Sequence, residues 1–248
     1  MTDLPTPPMG VPVGVQGAVQ GAVAVLEPER AVVRPNRLAR YAASALILAT
    51  SAVAGLVAWQ SWRSYHLVRD VLSRFPTVTA EQVAVAEQRA AWLSWAWLGG
   101  LALSWVAFAV WLWRARVNAA RVCDAGHRLR IRWAVLAWVV PVANLWWPQM
   151  VLADVHRASR PSTPERGARL AEVRGSPLVG LWWAAFLAAH AVDLVALHLI
   201  AGEQTERVFR DLFVATAASA GLTAVAAVAA LVLMRRIDRW QDGRPAIR

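Results

Sequence analysis

Hydrophobic positions in this chain come in long uncharged blocks rather than in the one-sided stripes of a surface helix. Five blocks stand out, at 41–62, 90–113, 133–153, 175–192 and 212–234, the fourth running past Asp193 to Gly202. Each is long enough for a helix rising about 1.5 Å per residue to cross a hydrocarbon core of roughly 30 Å. The pattern predicts an all-α fold, an integral membrane helical bundle over 37–240. It is bracketed by a disordered tail at 1–36 and a short tail at 241–248.

Five blocks need not make five crossings, and the charges between them decide. All 26 basic residues are arginines, set against 16 acids for a net charge of +10. If every block crosses, the arginines divide 12 against 14 between the two sides. If the third block enters and leaves on one face, they divide 20 against 6. Basic residues accumulate on the cytoplasmic side of membrane proteins, so four crossings are expected, with both termini cytoplasmic.

The third block reads WAVLAWVVPVANLWWPQMVLA, with Pro141 and Pro148 flanking Asn144. Each proline lacks a backbone donor and crowds the preceding turn. Irregular backbone at membrane depth survives only where protein or a wet cavity covers it. A proline-broken re-entrant or interfacial segment packed on the four crossing helices is therefore expected, with a kinked fifth span as the alternative.

Local signals refine the elements. Residues 1–36 hold six of the 13 prolines, a composition that cannot offset the entropy of ordering it, and the absence of a basic start argues against a secretory signal. Phe75-Pro76-Thr77 marks a turn, and Thr79-Ala80-Glu81-Gln82 has the form of a capping box, so the first two helices are expected to project from the bilayer as a hairpin. Trp92 and Trp111 are 19 residues apart, which suits two interfacial aromatic belts, with Trp113 beside Trp111 and with Trp59, Trp62 and Tyr65 near Trp92. In the last block, Ala217/Gly221 and Ala220/Ala224 put small residues on one stripe. Packing inside the bundle is the reading preferred there, and a homodimer face is the alternative.

Candidate chemistry is sparse. Cys123 is the sole cysteine, which excludes an internal disulfide, a Cys-x-x-Cys pair and a cysteine zinc site. His190 and His198 are too far apart to share one ion, so neither a metal nor another cofactor is expected. No nucleophile elbow, zincin motif or phosphate loop is present, and no enzyme is expected. Asp193 follows His190 by three residues on one helix face, roughly 24 Å along from Pro177. An ionisable group inside a span is a candidate for a site, and Asn144, His190 and Asp193 form the candidate binding set. Arginines 114, 116, 128, 130 and 132 are the candidate contacts for anionic lipid or a protein partner. Nucleic acid is not expected, because no soluble basic module with aromatic reading elements is present.

Certain residues also resemble a known family. The stretches Trp111-Leu-Trp-Arg-Ala-Arg-Val-Asn118, Pro141-Val-Ala-Asn144-Leu-Trp146-Trp-Pro148 and Asp154-Val-His-Arg-Ala-Ser159, with Trp133 and the pair Trp182-Trp183, are similar to the domain of unknown function 4328, over roughly 88–200. Against that family's pattern the chain departs at Trp147, Gln149 and His156. The resemblance implies a bacterial multi-pass membrane protein and carries no activity with it. Taken with the residues themselves, it leads to the expectation of a non-enzymatic membrane module binding protein partners or anionic lipids at its arginine-rich cytoplasmic face, possible as a homo-oligomer. The rival is a small-solute or ion carrier with its site near Asn144, His190 and Asp193.

Overall fold

The computed structural model describes residues 33, 35–72, 79–203, 205–242, 244 and 246–247. The turn expected at Phe75-Pro76-Thr77, and the tail expected at 1–36 apart from its last few residues, lie outside them. The described residues form six helices and no strand: α1 (Arg37–Val71), α2 (Ala80–Val122), α3 (Trp133–Leu136), α4 (Trp147–Ser159), α5 (Pro177–Ala201) and α6 (Glu206–Asp242), with a 3-10 turn at Ala143–Leu145. Helices α1, α2, α5 and α6 are long and apolar enough to cross a membrane. The fold is an all-α helical bundle, as the block pattern predicts.

Start and stop signals in the sequence explain the helix limits. The capping box at the head of α2 is formed: Gln82 N donates to Thr79 Oγ1 at 3.3 Å and Thr79 N donates to Gln82 Oε1 at 3.0 Å. Pro177 opens α5, where a missing amide costs nothing, and Gly202 closes it.

The long helices pack in a row, α5 on α6, α6 on α1 and α1 on α2. The outer members α2 and α5 meet at one level through aromatic rings, Phe108 lying 5.5 Å from Trp182. Trp138 of the third block wedges between them, 5.8 Å from Phe108 and 6.1 Å from Trp183. Helix α1 begins, α2 ends, α5 begins and α6 ends at the same end of the bundle, the one holding the arginine-rich loops. Gln241 near the end of α6 donates to Ala115 O of α2 and to Ser159 Oγ of α4. Asn36, just before α1, donates to Trp111 O. Both ends of the described chain are thus docked at this arginine end, where Arg244 donates to Ala158 O and Ile247 N donates to Arg121 O.

The third block is not one kinked helix. It rises from the arginine end as α3, turns, and returns as α4 to the same end, where Arg128 before the hairpin grips Asp154 on the returning limb. Helix α3 stops at Leu136, five residues before Pro141, and Pro148 falls in the first turn of α4, where proline is tolerated. At the tip, Trp183 Nε1 of α5 donates to Leu145 O at 2.9 Å, covering a carbonyl the broken helix leaves free. Val139 and Val142 at the tip are exposed.

Two expectations need correction. Trp111 is not a belt residue: it is fully buried, because its indole N–H reaches Asp238 Oδ1 on α6 at 3.0 Å. Trp59, Trp92 and Trp95 do lie on the surface. The stripe in α6 also faces differently from the preferred reading. Ala217, Gly221 and Ala224 point outward, while the bundle is packed by Ser219, Ala226, Ala227, Ala229 and Ala230. Both stripes consist of small residues, so composition alone could not separate the inner from the outer.

Candidate functional site

Two buried carboxylates organise the arginine end. Asp154, on the inward face of α4, is 2% exposed and accepts from Arg128 Nε at 3.0 Å and from the Arg128 amide at 3.0 Å. Arg128 also donates to Met150 O, and Arg157 lies 3.6 Å from the same carboxylate. A carboxylate taken out of water survives when it is paired and fully hydrogen-bonded. His127, next in the chain, is held neutral. Burial and the nearby Arg116 push its pKa down to about 4, partly offset by Asp154.

Asp238 repeats the device across helices. Its carboxylate joins Arg40 of α1 at 3.0 Å and Trp111 of α2. Arg37 pairs with Asp242 beside it at 3.2 Å. Farther out, Arg244 donates to Ala158 O, Arg160 O and Thr163 O, strapping the C-terminal segment over the α4–α5 loop. The two arginine-rich loops are stitched together where Asp124 N donates to Glu165 O and Gly167 N donates to Asp124 Oδ1. Gly167 takes a φ of +68°, which a side chain would strain.

The sequence-derived arginines fall into different settings. Arg128 is consumed by Asp154, and Arg116 is half-buried within electrostatic reach of the same group. Arg130 and Arg132 are exposed on the loop leading into α3. Arg114 is exposed at the rim of an open groove of about 290 Å³, lined by Trp113, Arg114, Val117, Asn118 and Arg121, and it donates to Pro35 O.

Of the membrane-depth candidates, Asp193 and His190 bond to separate partners. Asp193 accepts from Ser219 Oγ of α6, whereas His190 Nδ1 bonds to Phe186 O of its own helix. Asn144 sits beside Leu145, which is tied to Trp183; His190 is about 10 Å and Asp193 about 15 Å farther along α5. Among the described residues no hydrogen bond or ion pair joins these three side chains. Asn144 Oδ1 and Asp193 Oδ2 each lack a hydrogen-bond partner. Cys123 is buried, its thiol donating to Pro164 O. No group of three or more His, Cys, Asp or Glu among the described residues is placed to hold a metal ion.

Sequence reasoning missed Asp154, Asp238 and His156. The signal was available: Asp154 sits one helical turn from Met150, Val151 and Ala158, and Asp238 one turn from Met234, so each acid occupies the apolar face of its helix. His156 is 1% exposed, edge-on to Trp240 at 5.0 Å, and burial among Arg160, Arg236 and Arg157 lowers its pKa to about 4.

A family model described as Domain of unknown function (DUF4328) matches residues 74–239. No curated protein and no solved structure matches the chain. The match is wider than the stretch carried by the tryptophan and proline motifs and takes in the broken hairpin and both buried carboxylates. Covering well over half of the sequence, it shows that the chain belongs to the DUF4328 family.

Proposed function

We propose that this membrane protein is a non-enzymatic module of the bacterial cell membrane, crossing four times with both termini cytoplasmic, and that it works by contact at its arginine-rich face with protein partners or anionic lipids. One observation carries the reading: three acids of the arginine end are spent on internal bonds, leaving exposed arginines on a braced platform. Asp154, Asp238 and Asp124 each hold a partner within the fold, while Arg130 and Arg132 face outward. The 20-to-6 arginine asymmetry supports placing that end in the cytoplasm, and the hairpin then enters the membrane from that side and returns. The carrier reading has less support, since His190 and Asp193 bond to different neighbours and, among the described residues, no hydrogen bond or ion pair joins either to Asn144. The outward stripe of Ala217, Gly221 and Ala224 leaves homo-oligomerisation open to a crosslinking assay.

Reporter fusions and in-membrane crosslinking test it together. Fusions near Ser162 and at Arg248 should report cytoplasm, and a photo-crosslinker at Arg130 should capture a discrete partner or lipid. A periplasmic signal at Ser162 overturns the topology. Wild-type phenotype after Arg130→Gln with Arg132→Gln, alongside loss in Asp193→Asn or Asn144→Ala, overturns the module in favour of the carrier.

A further inference from the structure

Two rulers fix how deep the broken hairpin reaches. On α5, Trp183, whose indole N–H donates to Leu145 O at the tip, lies six residues or about 9 Å from Pro177 at the start of the helix. On α2, Phe108, whose ring lies 5.8 Å from that of Trp138, is six residues or about 9 Å from Arg114. Both put the tip about 9 Å from the arginine end of the crossing helices, against about 15 Å for half of a hydrocarbon core. The hairpin therefore occupies one leaflet, and only the part of it nearest the headgroups.

The inserted residues suit that depth. No charged residue occurs from Trp133 to Ala153. Val139, Val142 and Trp146 are 62%, 71% and 56% exposed, and tryptophan favours the level where acyl chains meet headgroups. The crossing helices on either side of the tip leave acyl chains as the surroundings of these side chains. The hairpin is also stiff. Trp133 and Trp147 close its base edge-on, with ring centroids 4.1 Å apart. Trp138 packs on Trp182 and Trp183, and Arg128 grips Asp154. Among the described residues no second returning segment occurs at the opposite end of the bundle.

We infer that the hairpin is a one-leaflet wedge, and that the partner of its exposed tip is a lipid surface convex toward the arginine end. Apolar side chains pushed in beside the headgroups spread that leaflet and leave the other unchanged. Curving the membrane outward on the spread side relieves the mismatch, and apolar insertions roughly 5–10 Å deep are curvature-sensitive. A slack loop would yield to the lipid; a hairpin braced by Trp133, Trp138 and Trp183 makes the lipid yield. The inference goes beyond the contact function, since it needs neither a protein partner nor an anionic headgroup. It is defined against the arginine end rather than a cell compartment, so a reversed topology in the fusion assay leaves it standing.

Reconstitution of the full chain into small sonicated and large extruded vesicles of phosphatidylcholine tests it, because neutral lipid removes attraction to the arginines. Trypsin added outside reads the orientation through cleavage around Arg166 and Arg169. In small vesicles the population should shift toward molecules with the arginine end outward, on the convex face. Val139→Ala with Val142→Ala and Trp146→Ala, at exposed positions, should shrink that shift at unchanged helicity. Arg130→Gln with Arg132→Gln should preserve it, and loss of the shift there assigns the bias to charge and overturns the wedge. Equal orientation in both vesicle sizes, an inward shift in the small ones, or an undiminished shift in the alanine variant also overturns it. A nitroxide on Val142→Cys, in a Cys123→Ser background, checks the depth in the same vesicles. Oxygen should relax it more strongly than a water-soluble nickel chelate. Stronger relaxation by nickel, or shielding from both reagents by a second copy seated on the tip, overturns the inference.

Discussion

Replacing Asp238 by alanine strands Arg40, whose side chain is only 14% exposed, and removes the acceptor of the buried Trp111 indole. Breaking one side of a buried pair costs about 3–5 kcal/mol; the residual exposure of Arg40 puts this variant near the lower figure. Thermal unfolding in detergent should show the loss, and Arg40→Leu with Asp238→Leu should recover only the part due to the stranded charge, because the Trp111 indole still lacks its acceptor, at about 1–3 kcal/mol. The two histidines give a pH signature. His127 and His156 have folded pKa values of about 4 against an ordinary 6.5. In that interval the unfolded chain binds protons that the folded one refuses, so this stability is present in full above pH 6.5 and is lost as pH falls toward 4, at most on the order of 3 kcal/mol per histidine. Melting temperatures at pH 7.5, 6 and 5 should fall accordingly, and His156→Phe, which keeps an aromatic edge on Trp240, should flatten the slope. An unchanged slope in that variant removes His156 from the account. Such residues were hard to read in the sequence because a lone acid or histidine among arginines looks like part of a solvated charge run. Its burial depends on the helix that packs over it.

At the scale of elements, the hairpin depends on one side-chain donor supplied by another helix. Trp183→Phe keeps the aromatic packing but leaves Leu145 O without its partner, at a cost of about 1–3 kcal/mol. Hydrogen exchange over 137–146 should accelerate first, and an unaltered rate there shows that the tip is held by packing alone. Thr79→Ala should cost about 1 kcal/mol by uncapping α2. Elements of this kind were legible beforehand. Block length gave five candidate spans, the arginine split reduced the crossings to four, paired prolines gave the break, and Thr79 with Gln82 gave the cap, because each signal lies in the local sequence. The inward or outward facing of Trp111 and of the small residues in α6 was not legible. Facing is set by which helices become neighbours, and the row order α5–α6–α1–α2 has no local signature.

For the whole molecule, the arginine end is a joint in which the first helix, the hairpin and the C-terminal strap share bonds. Removing residues 243–248 deletes Arg244 and its three carbonyl contacts over the α4–α5 loop. Limited trypsinolysis should then cleave faster around Arg160 and Arg166, while the long helices stay protected. Equal cleavage in both proteins shows the strap to be ornamental.

This joint also bears on biosynthesis. Arg40 is translated early, yet Asp238, the acid that completes its surroundings, follows 198 residues later. The early helices must therefore wait in the bilayer, with Trp111 and Arg40 unsatisfied, until Asp238 has been made. A nascent chain that stalls before Asp238 presents an exposed polar seam to quality-control proteases, so prematurely terminated copies should be cleared rather than accumulate.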